Sequence, residues 1–544
     1  NFFGAVITGS PVDQAITLQH VDAAVANALV EVAIQGVTLA SHRVNVQLNG
    51  VAIGQVNFER QEGGIKSFPV AHSMLAEGEN VVRLTGQNGS GDVSLVDYIR
   101  VTYQHTFNAE GNELRFTARP GQPISVGGFD DAQIRVFDVT EPDSVQELIG
   151  TVTGRASNFA VGITPPGKGP ARTLLAVATD QIKSPTNIRP NQPSTWREPS
   201  RGADLLIVGS AEVLGGMELL KQHRQNQGLS VLMVDIDDVY DEFSFGQRTP
   251  QALKDFLRHA ATTWKKKPRF VLLAGDASFD PRNYMGAGDF DFVPSKLIDT
   301  AFMETSSDDW FADIDGDGIA ELALGRFPVR TAQEAASIVQ KIFAYEESVK
   351  SDSVLLVADS NDIYDFEGAS DKLLPLLPSN IKAEVVNRGH IGNDAAARSQ
   401  ILAALNAGQR IVNYTGHGNA DQWRGNLLQA GDAAALTNDK HLSLFVLMTC
   451  LNGYFNHPTQ SSLAESMLKA PGGAAVVWAS TGQSGPFDQS LTNQEFYRLI
   501  FNGDSANGKP LTLGEAAVRA KKAINDRDVR RTWVLFGDPS MMFK

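Results

Sequence analysis

The chain contains one cysteine, Cys450, among 544 residues. One cysteine cannot close an intramolecular disulfide, so a disulfide-stapled fold is excluded. No apolar run reaches about 18 residues, so the sequence predicts no membrane span. The net charge of −15 leaves no basic surplus for a phosphate backbone, and we therefore expect no nucleic-acid partner. Cysteine and histidine spacings typical of zinc sites are missing as well.

The composition is that of a globular protein, because hydrophobic residues make up 42 % of the chain and charged residues 20 %. A lone thiol in such a protein is usually a small buried apolar residue, so the role of Cys450 depends on where the fold places it. The opening residues NFFGAVITGS lack the basic start and the apolar stretch of a signal peptide, and Asn1 is not an initiator methionine. We expect the given chain to begin after a removed segment.

Residues 1–180 have the pattern of an all-β, sandwich-like domain. Apolar and polar residues alternate on both sides of the turn pair Asn49-Gly50, which predicts a hairpin. Further short strand-like runs follow, and a division near 105–125 would give two β units. Residues 181–202 are rich in proline and polar residues and form either a linker or a strap packed on the surface.

From residue 203 the pattern changes to alternating strands and helices. Short apolar runs at 205–208, 231–234 and 270–274 alternate with helical periods, and the alternation restarts near residue 354. This order predicts two successive α/β units, 203–350 and 351–544. Each is expected to contain a mainly parallel sheet with helices on both faces.

One histidine and the only cysteine directly follow two of these strands. The strand 410–414 leads into Thr415-Gly416-His417-Gly418, and the strand 442–448 leads into Thr449-Cys450. Ligands of open parallel sheets bind at the carboxyl ends of the strands. A thiol nucleophile with an imidazole that moves protons is sufficient for acyl transfer, so this pair predicts a cysteine-type catalytic site. Three other histidines lack the glycine-flanked position and are weaker candidates: His390, His441 and His457.

These motifs resemble the gingipain-type cysteine peptidases, peptidase family C25 of the caspase-like clan. The histidine motif is 413–418 with Trp423, and the cysteine motif is 444–450 with Asn452-Gly453, at an interval of 450 − 417 = 33 residues. The resemblance covers about 203–544 and implies a caspase-like α/β fold. Other segments that resemble the family are Gly275-Asp276-Ala277, Ser307-Asp308-Asp309-Trp310-Phe311, Gly325-Arg326-Phe327-Pro328-Val329, Ser462-Leu463-Ala464-Glu465, Ala479-Ser480-Thr481 and Phe536-Gly537-Asp538-Pro539.

The resemblance implies a role for each residue near the dyad. Cys450 attacks the scissile carbonyl, His417 protonates the leaving amine, and the backbone N–H groups of Gly418 and Cys450 hold the oxyanion. Asp359, at the end of the strand 354–358, is expected to orient His417. Asp362 is the alternative for that role.

The resemblance also implies residues that bind substrate, namely Asp371, Trp423 and Thr481. Gingipains prefer a basic residue before the cut and bind it with an acidic pocket residue, a role that Asp371 matches in position. The pocket-wall tryptophan of the family is not evident, because the sequence reads GQSGPF at 482–487. A preference for arginine or lysine therefore stays open.

An acidic loop is the candidate metal site. Asp313-Ile314-Asp315-Gly316-Asp317-Gly318 spaces carboxylates at alternate positions, and Glu321 follows. Alternating aspartates with glycine at the sixth place are typical of Ca²⁺ loops, although position twelve holds Leu324 rather than the glutamate of an EF-hand. We expect structural calcium at Asp313, Asp315, Asp317 and Glu321, as the family often binds it, and no organic cofactor.

The predicted function is that of a secreted or cell-surface cysteine endopeptidase acting on protein or peptide substrates. Two alternatives stay open. The first is a transpeptidase that processes secreted proteins with the same dyad, as some relatives in the family do. The second is a non-catalytic surface binding or adhesion protein. For the N-terminal β domain the sequence leaves three roles: inhibitory pro-domain, targeting module or structural brace.

Overall fold

The computed structural model describes residues 3–22, 27–89, 91–185, 193–348, 351–504, 506 and 508–544. The chain divides into two compact units, Asn1–Pro190 and Asn191–Lys544. Part of the predicted linker, residues 186–192, lies outside the described residues. No helix within the described ranges is long and apolar enough to cross a membrane.

The first unit is built from antiparallel β-strands, and the predicted all-β class of this region is confirmed. In its described part, two four-stranded sheets pack around one apolar core that includes Val32, Val46 and Leu84. A three-stranded and a four-stranded sheet share a second core around Val126 and Leu174. The strands are Val6–Ile7, Val12–Leu18, Asn27–Gly36, Ser41–Leu48, Val51–Glu59, Gly63–Ala71, Gly78–Gly86, Ser94–Thr102, Glu113–Ala118, Ile124–Phe129, Ile134–Asp138, Gln146–Leu148, Thr151–Arg155, Asn158–Ile163 and Arg172–Ala178.

The predicted hairpin turn lies at Asn49-Gly50, between Ser41–Leu48 and Val51–Glu59, with Leu48 paired to Val51. Asn49 and Gly50 have φ values of 48° and 83°. Two consecutive positive φ angles match the twist of a two-residue hairpin, and asparagine and glycine adopt them at the lowest cost.

In the described part of the second unit, ten strands form one sheet. In chain order they are Leu205–Gly209 (β1), Val231–Asp235 (β2), Phe270–Ala274 (β3), Ala323–Phe327 (β4), Ser353–Ala358 (β5), Lys382–Asn387 (β6), Ile411–Thr415 (β7), Ser443–Met448 (β8), Ala474–Ser480 (β9) and Trp533–Phe536 (β10). Their order in the sheet is β2-β1-β3-β4-β10-β9-β8-β7-β5-β6. Strands β1–β4 are parallel to one another, and so are β5–β9, whereas β10 runs antiparallel to β9. The two predicted α/β units thus share one continuous, largely parallel sheet.

Helices cover both faces of this sheet, which explains the continuous apolar runs of its strands. In β1, Leu205 and Ile207 belong to one core cluster, whereas Leu206 and Val208 belong to another. Successive side chains of a strand point to opposite faces, so each face has its own core. The α-helices are Ala211–Leu214, Glu218–Asn226, Ile236–Ser244, Pro250–Thr263, Asp309–Ala312, Ala332–Glu347, Phe366–Asp371, Arg388–Ile391, Asp394–Ala407, Leu463–Lys469, Pro486–Asn502, Leu513–Lys521 and Arg527–Thr532. A small hairpin, Lys296–Asp299 and Glu304–Ser307, stands apart from the main sheet.

The buried Arg326 of β4 joins several of the segments that resemble the family. Its guanidinium group pairs with the carboxylate of Asp308 at 2.5 and 2.8 Å and donates to the carbonyl of Gly275 at 2.7 Å. The Arg326 carbonyl accepts the Gly537 N–H at 3.1 Å. An ion pair without water needs such additional hydrogen bonds to offset the loss of hydration. Through Arg326 this network joins four segments that are distant in sequence.

The described end of the predicted linker is packed as a strap on the second unit. The backbone N–H groups of Trp196 and Arg197 donate to the carboxylate of Glu242 at 2.8 and 3.0 Å. The ring of Trp196 is buried, and Trp264 Nε1 donates to the Trp196 carbonyl at 2.9 Å. Residues 194–197 are therefore held to the α/β unit.

Candidate active site

Three adjacent strands bring the predicted catalytic residues to one edge of the sheet. Thr415, the last residue of β7, is in register with Met448, the last of β8, and with Ala358, the last of β5. Asp359, His417 and Cys450 follow these strand ends by one or two positions. Parallel strands in register end at the same level, so the topology brings the three residues together.

The His417 backbone is held on two sides. Its carbonyl accepts the Tyr414 hydroxyl at 2.7 Å and the Arg424 N–H at 2.9 Å. The imidazole ring packs edge-on against Phe366, with 5.0 Å between the ring centroids. The side chain remains 49 % exposed. The fold thus fixes the backbone of this residue and leaves its ring accessible to a ligand.

Asp362, rather than Asp359, contacts the His417 ring. The distance from Asp362 Oδ2 to His417 Nε2 is 2.9 Å, and this hydrogen bond holds the pKa of Asp362 below its usual value. Asp359 is buried, accepts the backbone N–H of His417 at 3.2 Å and pairs with Arg388 at 2.8 Å. The expected contact of Asp359 with the ring is therefore replaced by that of Asp362, because Arg388 and the loop backbone already engage the Asp359 carboxylate.

Cys450 begins a tight turn that is bonded to the end of β9. The Cys450 carbonyl accepts the Asn452 N–H at 2.8 Å, and the Gly482 carbonyl accepts the Leu451 N–H at 3.1 Å. Leu451 has a φ of 64°, a left-handed conformation that costs a non-glycine residue about 1–2 kcal/mol. Such strain persists where surrounding bonds impose it, and residues of this kind cluster at functional sites.

The thiol of Cys450 lies partly buried beside the loop that follows β9. Its Sγ is 3.8 Å from the carbonyl oxygen of Ser484, which also accepts the Gln489 amide at 3.1 Å. Burial raises the pKa of the Cys450 thiol. The thiol is consequently neutral at neutral pH, and a nucleophilic role requires a base that takes its proton during attack.

Gly418 is the predicted oxyanion donor on the histidine loop. Gly418 and Trp423 face each other as an antiparallel β-bridge. The hydrogen bonds of this bridge belong to the flanking residues: the Arg424 N–H donates to the His417 carbonyl, and the Asn419 N–H donates to the Gln422 carbonyl. This pattern leaves the Gly418 N–H outside the ladder. A Cβ atom at Gly418 would lie 2.7 Å from Thr449 Oγ1, so the position admits only glycine without displacement. The oxyanion role of Gly418 and Cys450 stays a prediction.

Two of the three predicted substrate-binding side chains are used inside the protein. Trp423 is fully buried and stacks on Tyr414, with 4.2 Å between ring centroids, so direct contact of its ring with substrate is contradicted. Thr481 is also buried, and its hydroxyl donates to the Ser306 carbonyl at 2.6 Å, so the same correction applies. Asp371 is exposed as the last residue of Phe366–Asp371, and its role stays a prediction.

The weaker histidine candidates have other surroundings. His457 Nδ1 accepts the backbone N–H groups of Thr459 and Gln460 at 3.3 and 3.1 Å, within its own turn. His390 pairs with Glu367 at 3.4 Å, and the exposed His441 precedes β8, at the end opposite to Cys450. His417 therefore remains the strongest candidate for the catalytic histidine.

The acidic loop brings three carboxylates together. Oxygens of Asp313, Asp315 and Asp317 lie within 4.8 Å of one another. Asp313 accepts the N–H groups of Gly316 and Gly318 at 2.9 and 3.2 Å, which wraps the loop around this carboxylate. Burial raises the pKa of Glu321, and the three aspartates raise it further. Clustered oxygen ligands on a loop of this shape suit a hard divalent cation such as Ca²⁺.

Asn452 is a site residue whose role the sequence analysis missed. In the sequence it is one residue of the cysteine motif, and in the structure its buried side chain bonds to the loop that carries His417. The available signal was its place two residues after Cys450 and directly before Gly453, where a tight turn directs an amide inward.

The sequence profile described as peptidase family C25 matches residues 198–544. The chain belongs to peptidase family C25. Gingipain R1 of Porphyromonas gingivalis is 23 % identical over 380 residues, which cover 66 % of this chain and 36 % of the relative. Lys-gingipain W83 of the same species is 26 % identical over 186 residues, 32 % of this chain and 10 % of the relative. This C25 chain thus spans only about a third of the gingipain R1 sequence.

Two solved structures have the same fold as this C25 chain. The arginine-specific cysteine proteinase gingipain R (RgpB) aligns with a TM-score of 0.54 and 21 % identity, over 65 % of this chain and 80 % of the other. Dimeric latent PorU from Porphyromonas gingivalis aligns with a TM-score of 0.53 and 16 % identity, over all of this chain and 50 % of the other. The predicted caspase-like α/β class with an N-terminal β region is confirmed, as is the predicted family.

Proposed function

We propose that this C25 chain is a cysteine endopeptidase in which Cys450 is the nucleophile and His417 the general acid and base. The proposal rests on one observation. The only thiol of the chain and an accessible imidazole follow the registered ends of the adjacent strands β7 and β8. The predicted oxyanion donor, Gly418, directly follows His417, and its N–H stands outside the ladder of its own hairpin.

The geometry supports the following steps. His417 takes the proton of the Cys450 thiol as Sγ attacks the scissile carbonyl carbon, since burial keeps the thiol neutral until then. The backbone N–H groups of Gly418 and Cys450 stabilise the oxyanion. The imidazolium, paired with Asp362, then protonates the amine as the C–N bond breaks. His417 next deprotonates a water molecule, which cleaves the thioester and returns the thiol.

The proposed substrate is a protein or peptide. The two carboxylates nearest to His417 have cationic partners: Arg388 lies 2.8 Å from Asp359, and Arg424 lies 3.3 Å from Asp362. A preference for arginine or lysine before the cut therefore depends on another acidic group, and Asp371 is the proposed one. Comparing kcat/KM for arginine, lysine and leucine substrates before and after Asp371→Asn tests this assignment.

We also propose a structural calcium ion at Asp313, Asp315, Asp317 and Glu321. The clustered carboxylates and the two glycines with φ near 85° support it. The Ca²⁺ sites of extracellular modules bind the ion weakly and fill at the millimolar levels found outside cells. The calcium proposal therefore agrees with the proposed secreted or cell-surface location.

The test uses the full chain and a small peptide electrophile that reacts with thiols, followed by mass spectrometry and a peptide-cleavage assay. We expect rapid labelling of Cys450, loss of cleavage in Cys450→Ala, and loss of both at neutral pH in His417→Ala. His441→Ala, which changes an exposed histidine at the far end of β8, is the control and should behave as wild type. An inert Cys450, or full cleavage by Cys450→Ala, would overturn the proposal and favour the binding-protein alternative.

Products formed with an added amine distinguish hydrolysis from transfer. The endopeptidase proposal predicts mainly free carboxylate ends. Predominant amide products would instead assign the transpeptidase reaction to the same dyad, because both begin with the same acyl-enzyme.

A further inference from the structure

The side chain of Asn452 connects the cysteine loop to the histidine loop. Its Nδ2 donates to the carbonyl of Asn419 at 2.6 Å, and its Oδ1 accepts Trp423 Nε1 at 3.0 Å. A second, longer contact joins Nδ2 to the Gln422 carbonyl at 3.4 Å. All three partners lie in the hairpin 417–424, while Asn452 itself stands two residues after Cys450.

Both ends of this connection reach the proposed dyad within one or two residues. On the cysteine side, the Asn452 N–H donates to the Cys450 carbonyl at 2.8 Å. On the histidine side, Trp423 stacks on Tyr414, whose hydroxyl donates to the His417 carbonyl at 2.7 Å. The neighbour of Trp423, Arg424, donates its N–H to the same carbonyl. A continuous chain of short contacts therefore links the backbones of Cys450 and His417.

The chemistry of these contacts requires an amide. The two carbonyls need an N–H donor, and the indole N–H needs an acceptor. An amide side chain supplies both, because its NH₂ group donates and its oxygen accepts. Asn452 is fully buried, so water cannot replace a lost partner. An aspartate would keep the acceptor for Trp423 but would direct a carboxylate oxygen at the carbonyl of Asn419.

We infer that Asn452 is a positioning residue that sets the distance and orientation between Cys450 and His417. The inference rests on the proposed function, because it assigns Asn452 to the geometry of that dyad. Asn452 touches neither reacting atom. It acts by holding together the two loops that follow the paired strands β7 and β8.

The test is the pH dependence of Cys450 alkylation by iodoacetamide, together with peptide cleavage, in Asn452→Ala. Misplacement by about 1 Å costs roughly 100-fold in rate, so we expect kcat/KM to fall by about that factor. The part of the alkylation rate that appears at neutral pH and depends on His417 should fall with it. Alkylation at alkaline pH, which reports only access to the thiol, should stay unchanged.

The matched control is Asn456→Ala in the same loop. Asn456 is equally buried, but within the described residues its side-chain amide has no hydrogen-bond partner. Its removal should leave the neutral-pH alkylation as in wild type. If both variants lose this alkylation equally, burial of an amide in the loop is responsible, and the inference is wrong.

A double variant separates positioning from general stability. In a His417→Ala background, Asn452→Ala should change the alkylation rate by less than about twofold, because the effects of residues that act as one unit are not additive. An undiminished effect in that background would overturn the inference. If wild type itself shows no His417-dependent alkylation, the proposed function fails, independently of Asn452.

Trp423→Phe is the second variant in case Asn452→Ala does not fold. Phenylalanine keeps a ring against Tyr414 and removes the donor to Oδ1 together with part of the indole volume. We expect a loss of neutral-pH alkylation in the same direction and of smaller size, roughly tenfold, as for one hydrogen bond of about 1.4 kcal/mol. A wild-type profile in folded Trp423→Phe would count against the inference.

Discussion

Asp362 Oδ2 lies 2.9 Å from His417 Nε2 at the accessible side of the candidate site. A carboxylate that accepts from Nε2–H leaves Nδ1 with the lone pair, so Nδ1 is the nitrogen able to exchange a proton with the thiol. Arg424 Nη1 lies 3.3 Å from the same carboxylate oxygen and limits the orientations that Asp362 can adopt. Tautomer and ring orientation of His417 are thus set from the loop after β5.

Asp362→Asn should lower kcat/KM about tenfold, because the amide keeps the shape of the side chain but removes the charge that stabilises the imidazolium. Because the hydrogen bond with His417 holds the pKa of Asp362 below its usual value, the carboxylate stays charged and keeps its effect across pH 4–9. Kinetics across pH 4–9 check both points. An unchanged rate at every pH would contradict a role of Asp362 in orienting His417.

Asp359→Asn should act mainly on stability. Asp359 is fully buried, and Arg388, which is 16 % exposed, pairs with it. Removing a charge-assisted hydrogen bond of this kind lowers the free energy of unfolding by about 2 kcal/mol. Urea titration measures the loss, and alkylation of Cys450 in the folded fraction should stay His417-dependent. A stable variant without His417-dependent alkylation would reverse the roles assigned here to Asp359 and Asp362.

Strand periodicity and the two motifs were sufficient to predict the fold class and the edge of the sheet that carries Cys450 and His417. Apolar runs such as those of β7 and β8 identify buried parallel strands, and strand ends converge by topology. The choice between Asp359 and Asp362 could not be made in this way. It depends on which carboxylate Arg388 neutralises, and Arg388 is distant in sequence from both.

Trp423 and Thr481 illustrate a second limit. Trp423 belongs to the histidine motif and Thr481 directly follows β9, and both side chains face the interior. Sequence position gives the loop but not the direction of a side chain, which depends on partners such as Tyr414 and Ser306 that lie on other elements. The same reasoning explains why Asn452 was missed.

The calcium proposal predicts that EDTA lowers the melting temperature. At a Ca²⁺ concentration about ten times Kd, linkage gives roughly 1.4 kcal/mol, which corresponds to about 2 °C for a unit of this size. Asp315→Asn should melt at the EDTA-treated temperature and no longer respond to EDTA. The control is Asp439→Asn, which removes an exposed carboxylate outside the loop and should keep the full response. An equal response to EDTA in both variants would show that the acidic loop does not bind the metal.

Glu465→Gln should flatten the pH dependence of stability. Glu465 is buried at the start of Leu463–Lys469, where it accepts the Ser462 N–H at 2.8 Å, and burial raises the pKa of Glu465 to about 7. A folded pKa above the unfolded value of about 4.3 means that the proton stabilises the folded state. This contribution is complete below about pH 4.3 and is lost as the pH rises through 7.

Glutamine keeps the capping oxygen and carries no titrating proton, so its variant lacks this loss. Between pH 5 and pH 8 the melting temperature of wild type should therefore fall by a few degrees more than that of Glu465→Gln. Glu495→Gln, at a more exposed carboxylate on another helix, should follow wild type. The Ala464 N–H donates to the Asn452 carbonyl at 2.9 Å, so the helix that contains Glu465 is hydrogen-bonded to the cysteine loop. If wild type and Glu465→Gln decline in parallel, the Glu465 carboxylate is charged at neutral pH and does not cause the loss of stability.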